Sequence, residues 1–175
     1  ISEERAPEVK KIAKKNGIVL TAHGQYFINL NAIETEKIEA SKKRILNAAR
    51  IANACGAFSL TFHAGFYLKQ DPVKVYDKIK KQLKEVIKVL QNESNTILVS
   101  PETTGKATQF GDVDELLRLS ADLEQVMPCI DFAHLHARTQ KNNTEEEFEE
   151  ILTKVEKVLG KEGLKQMHIH MSGIE

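Results

Sequence analysis

The chain has 175 residues, enough for one domain with a substantial core. Its 25 Lys and Arg residues balance 25 Asp and Glu residues, so the formal net charge is zero, which excludes a globally basic nucleic-acid binder while leaving room for a local basic patch. No apolar run reaches the roughly 18–20 residues that a membrane span requires and no signal peptide is visible, so a cytoplasmic protein with no membrane partner is expected.

Residues 2–16 carry a lysine-rich helical pattern, with Ser2 as a cap and Gly17 as its stop. Residues 18–22 read as a strand ending on His23. A helix over 35–54, with Thr35 as its cap, places Ile38, Ile45, Ala48, Ala49 and Ala52 on one side. The next strand, 58–62, ends on His63. Asp71-Pro72 opens a helix to about residue 91, with Val75, Ile79, Leu83, Val86, Ile87 and Leu90 as its stripe. A short strand at 97–99 leads to Pro101-Glu102. A helix over 112–124 precedes the strand that ends at Asp131. Thr144 and Glu147 form a capping box for a helix to Leu159, broken by Gly160 and Gly163. The last strand spans 166–171. Five strands alternating with helices predict a parallel sheet of βα units, in one domain covering 1–175 with no linker.

Every one of these strands ends on metal-competent groups: His23, His63, Glu102, Asp131 with His134, and His168. In parallel βα folds the C-terminal ends of the strands share one face, where sites are built, so these residues should converge. Asp131 and His134 can serve one site only if their strand stops near Phe132, because side chains alternate along a strand. Imidazole plus carboxylate suits zinc, manganese, iron or cobalt, and the two oxygens of Glu102 could bridge a pair of ions. His136 and His170 each follow another His by two residues and are expected beside the pocket rather than as ligands. Tyr26 and Tyr67 follow His23 and His63, either covering the rim or touching a ligand. Cys55 and Cys129 lie in apolar stretches and read as buried thiols in a reducing compartment. Gly65, Gly105 and Gly111 read as loop glycines, and the Gly105-Lys106 stretch lacks the spacing of a phosphate loop.

Several stretches carry a resemblance: His23-Gly24-Gln25-Tyr26-Phe27-Ile28-Asn29-Leu30, Phe62-His63-Ala64-Gly65, Pro101-Glu102-Thr103-Thr104-Gly105, Cys129-Ile130-Asp131-Phe132-Ala133-His134 and Met167-His168-Ile169-His170. In order and spacing they resemble the endonuclease IV family of apurinic/apyrimidinic endonucleases, within the xylose-isomerase-like barrels. The resemblance implies a (β/α)8 TIM barrel, here about five of its βα units. It implies a DNA repair hydrolase that uses up to three zinc ions, or manganese, to cut damaged double-stranded DNA 5′ to an abasic site, acting as a monomer at full length. By motif, His23, His63 and Glu102 would hold the first ion. Glu102, the central catalytic carboxylate, would share a second with Asp131 and His168, and His134 would hold a third. Tyr26 and His170 would meet substrate. The family's remaining ligands, an Asp-x-His pair and a final Glu, would lie downstream of this chain, and its first strand upstream. The alternative is a sugar isomerase or epimerase on the same barrel, using one divalent ion at Glu102, Asp131 and His168.

Overall fold

In the computed structural model, which describes residues 2–173, five short parallel strands alternate with six helices. Helix α1 (Ala6–Lys15) ends where Gly17 takes a positive φ and Ile18 N–H reaches back to the Ala13 carbonyl. Strand β1 is Thr21–His23, shorter than the 18–22 expectation. Ile18 and Val19 have strand-forming side chains, yet they precede the stretch that pairs with the next strand and are 54% and 77% exposed. Helix α2 (Thr35–Ala54) buries Ile38, Ile45, Ala49 and Ala52. Glu34, not Thr35, occupies its cap position, and it makes no side-chain capping bond. Strand β2 is Ser59–Phe62. Helix α3 (Pro72–Asn92) starts where the Asp71 carboxylate accepts from Val73 N–H (2.8 Å), and it buries the whole expected stripe. Strand β3 is Leu98–Pro101.

Helix α4 (Val113–Asp122) has a complete capping box between Asp112 and Glu115. It stops before Glu124 because Leu123 is already extended. Strand β4 (Cys129–Asp131) ends at once in a helix that the sequence reading does not contain, α5 (Phe132–Thr139). The Asp131 carboxylate caps it by accepting from His134 N–H (2.8 Å), and Gln140 closes it with a φ of 59°. Helix α6 spans Glu145–Gln166, but Gly160, at φ 68° and ψ −173°, is not helical and divides it into two helical stretches, the first ending at Leu159 as the sequence predicts. The Thr144 hydroxyl caps α6, but the Glu147 carboxylate reaches Asn143 N–H (2.7 Å) and so does not complete the reciprocal box. Strand β5 is His168–His170.

Strands β1, β2 and β3 pair in order, as do β4 and β5, all parallel. Parallel bridges Val99–Val126 and Glu102–Cys129 join the two sets into one arc, β1-β2-β3-β4-β5. The arc curls strongly: Ser59 on β2 hydrogen-bonds His168 on β5 (3.0 Å) across its concave side. The convex side carries the core. Leu60, Phe62 and Val99 pack there with Ile45, Ile79 and Leu83 from the helices, and Ile130 packs with Leu117, Leu135 and Val155 in a second cluster. The result is part of a closed parallel barrel, with the C-terminal strand ends gathered at one rim.

Candidate metal centre

The Glu102 side chain stands at the centre of that rim, immediately after β3, and is only 2% exposed. Its main chain is locked on both sides: Glu102 N–H donates to Phe62 O (3.0 Å) and Thr103 N–H to Cys129 O (2.9 Å). Its two oxygens face different groups. Oε2 lies 3.1 Å from Nε2 of His23 and 3.3 Å from Nε2 of His63. Oε1 lies 2.8 Å from Nδ1 of His170 and 3.5 Å from Nδ1 of His134. Asp131 Oδ2 comes within 3.5 Å of the same His170 nitrogen. One ligand atom from each of His23, His63 and Glu102 lies within 4.8 Å of the others, and the same holds for Glu102, Asp131 and His170. The carboxylate therefore joins two three-residue groups, one per oxygen.

Two of the imidazoles, His23 and His134, are held in defined tautomers. Nδ1–H of His23 donates to Gly24 O (2.8 Å), which leaves the Nε2 lone pair aimed at the carboxylate. Two acceptors face each other there unless a cation or a proton lies between them, an arrangement that fits a divalent ion and fixes the nitrogen that would bind it. Nδ1–H of His134 donates to Thr103 O (2.9 Å), so Nε2 is its free nitrogen. Burial by itself raises the Glu102 carboxyl pKa, but the His23, His63 and His170 hydrogen bonds outweigh it and hold the group far below the usual carboxylate range. The Glu102 hydrogen bond raises His23 against the opposing effect of burial.

The rim thus collects His23, His63, Glu102, Asp131, His134 and His170. His168 is placed differently: it is buried two residues below, with Nδ1 on Ser59 Oγ, and His170 meets Glu102. The sequence pattern does not choose between them, because the two histidines share one strand face; pairing chooses, by setting Asp131 opposite His170 and Cys129 opposite His168. His170, read from sequence as a neighbour in contact with substrate, here faces Glu102 and Asp131 and joins them in a group that could hold a metal. Tyr26 and Phe27, 83% and 88% exposed, stand over a cleft of about 510 Å³ whose lining includes His23, His63, Glu102 and His134. The Phe27 carbonyl accepts from Arg44 (3.3 Å). Tyr67 has a structural role: its hydroxyl binds the Glu115 carboxylate (2.7 and 2.8 Å), away from the rim. His136 donates to Lys141 O and takes no part in the cluster.

A family model described as xylose isomerase-like TIM barrel matches residues 1–174. The chain belongs to this family. An uncharacterised protein of Methanocaldococcus jannaschii is 44% identical over 176 residues, covering all of this chain and 63% of that protein. An endonuclease 4 homolog of Dictyostelium discoideum is 26% identical over 86% of this chain and 28% of its own length. An apurinic-apyrimidinic endonuclease of Caenorhabditis elegans is 27% identical over 87% and 39%. Among solved structures, endonuclease IV from Thermus thermophilus superposes with a TM-score of 0.75 at 20% identity, over 97% of this chain and 59% of that one. The 3-keto-D-glucoside 4-epimerase of E. coli superposes at 0.71 and 17% identity, over 98% and 65%. The chain thus spans less than two thirds of each of these proteins. The solved structures share its fold, part of an endonuclease IV-like TIM barrel.

Proposed function

We propose that the chain carries the metal-binding part of a DNA repair endonuclease, a divalent-metal phosphodiesterase that cuts damaged double-stranded DNA 5′ to abasic sites. The observation that carries this reading is the division of Glu102, with Oε2 facing His23 and His63 and Oε1 facing His170 beside Asp131. One carboxylate set between a pair of imidazoles on one side and an imidazole with a second carboxylate on the other suits a pair of ions. Bound there, zinc or manganese would supply Lewis-acid stabilisation of the attacking and leaving oxygens of a phosphodiester displacement. Two relatives that bear endonuclease names support the same substrate class.

The chain's own residues prepare the site. His23 and His63 present nitrogens on one side of Glu102, and Asp131 and His170 supply donors on the other. His134, with Nδ1–H given to Thr103 O, keeps its Nε2 lone pair for a third ion. Tyr26 and Phe27 offer exposed aromatic surface over the cleft, suited to stacking where a base is missing from a duplex. Arg44 braces that loop through the Phe27 carbonyl. The reading includes a cytoplasmic setting, supported by two buried free cysteines.

A second reading rests on Glu102, Asp131 and His170, which by themselves make a one-ion site of the kind a sugar isomerase or epimerase needs. Metal analysis and cleavage of abasic-site duplex by the full-length protein separate the two. The nuclease reading expects at least two ions, with cleavage and one ion lost in His63→Ala. A single ion indifferent to His63→Ala, with sugar epimerisation and no cleavage, would replace it by the second.

A further inference from the structure

The concave face of the arc is built in layers. Strand alternation places His23, His63, Glu102, Asp131 and His170 at the rim, and Thr21, Thr61, Ser100, Cys129 and His168 two residues below them. Barrels of this kind ordinarily fill that layer with branched apolar side chains. Here it holds hydroxyls, a thiol and an imidazole; Thr61, Ser100 and Cys129 are fully buried, as is Ser59, two residues below Thr61 on the same face.

Three observations in this layer converge. Cys129, His168 and His170 each bring one ligand atom within 4.8 Å of the other two. Ser59 Oγ lies 3.1 Å from Ser100 Oγ and 3.0 Å from Nδ1 of His168; with the Ser59 hydroxyl given to Ser100 it accepts the His168 Nδ1–H, the tautomer that leaves the Nε2 lone pair for a metal. The Thr61 hydroxyl oxygen, wholly buried, has no hydrogen-bond partner of ordinary geometry among the described residues, and Cys129 is its polar neighbour. A buried layer with an imidazole, a thiol and a hydroxyl beside that thiol is chemically unlike the carboxylate rim above it.

We propose that Cys129 and His168, with His170 shared from the rim, form a second and softer metal site directly beneath the carboxylate centre, taking a thiophilic divalent cation such as zinc or cadmium. Thiolate and imidazole favour such ions, whereas magnesium and manganese belong with the oxygens above. On binding, a sulfur–metal bond forms as the Cys129 thiol releases its proton to solvent, with no change of oxidation state. Burial, reinforced by the Glu102 and Asp131 charges, keeps the free thiol protonated and unreactive. A cation held against the sulfur reverses that balance. His170 belongs to both layers, so filling one site changes the other. The assignment does not rest on the phosphodiesterase reading and is tested by a different residue.

The test is an anaerobic cobalt(II) titration of the reduced, metal-free full-length protein, read at the near-ultraviolet thiolate-to-cobalt charge-transfer band. The band is expected in the wild type, in Cys55→Ser and in His63→Ala, and is expected to vanish in Cys129→Ser. In His168→Gln the affinity read at the band should fall at least about tenfold. X-ray absorption of the zinc-loaded wild type needs no variant: a sulfur neighbour at about 2.3 Å is expected. A band that survives Cys129→Ser, no band in the wild type, or a zinc shell containing only nitrogen and oxygen would overturn the proposal.

Discussion

Glu102 concentrates the electrostatics of the rim. Among the described residues it is a buried carboxylate with no Lys or Arg beside it, balanced by imidazoles, and each oxygen has its own set. Glu102→Gln keeps the shape and removes the charge that both groups share. We expect bound zinc to fall by at least one ion per chain relative to wild type, as the rim loses its shared ligand, and abasic-DNA cleavage to drop at least about a hundredfold, measured by elemental analysis and a nicking assay. Gly111 protects this geometry from a distance. Its φ is +123°, and a Cβ there would stand 2.7 Å from the Glu102 carbonyl oxygen. Gly111→Ala must therefore push on the residue that centres the site. Calorimetric zinc titration should show affinity weakened by about tenfold or more, a change comparable to loss of a supporting contact around a metal. The residue types at the rim were legible in sequence, because each apolar strand run terminates in a His, Asp or Glu. That Glu102 meets His170 and not His168 was not, since a two-residue period leaves both on one face.

At the scale of elements, the short helix α5 ties the site to its surroundings. Arg138 reaches back from α5 to Thr104 Oγ1 (3.0 Å), Lys106 O (3.1 Å) and Gln109 O (3.0 Å), and so holds the loop that brings Gln109 to the cleft. Arg138→Met keeps much of the side-chain bulk but removes the donors. A cost of about 1–3 kcal/mol in urea unfolding is expected, with faster amide exchange over residues 104–109. Helix α5 escaped the sequence reading because eight residues give too little periodicity, and its cap is a residue already assigned to the strand before it. The α6 kink has a different origin. Gly160 adopts a φ/ψ combination open essentially to glycine alone, so Gly160→Ala should cost about 1–3 kcal/mol in the same assay. By contrast α3 was read with its buried stripe intact, because 21 residues at a 3.6 period leave little ambiguity. Leu83, fully buried on that stripe, should cost about 2–5 kcal/mol when replaced by Ala.

Over the whole molecule, the arc leaves β1 and β5 as its outer strands among the described residues. Ile18 and Val19 lead into β1 with their apolar side chains exposed, a feature that favours edge-to-edge pairing. Val19→Lys should lower self-association of this 175-residue chain in sedimentation velocity while leaving its metal content unchanged. The amino-acid sequence by itself determined the alternation of strands and helices, the parallel arrangement that follows from it, and the chemistry offered at each strand end. Those features are local: they depend on periodicity, on breakers and caps, and on where an apolar run gives way to a ligand. Only the tertiary structure decided which oxygen of Glu102 meets which imidazole, that His168 lies in the layer below, and that Cys129 lies beside it. These depend on strand register and on the curl of the sheet. A shift of two residues in the register would exchange the two layers without altering the hydrophobic pattern.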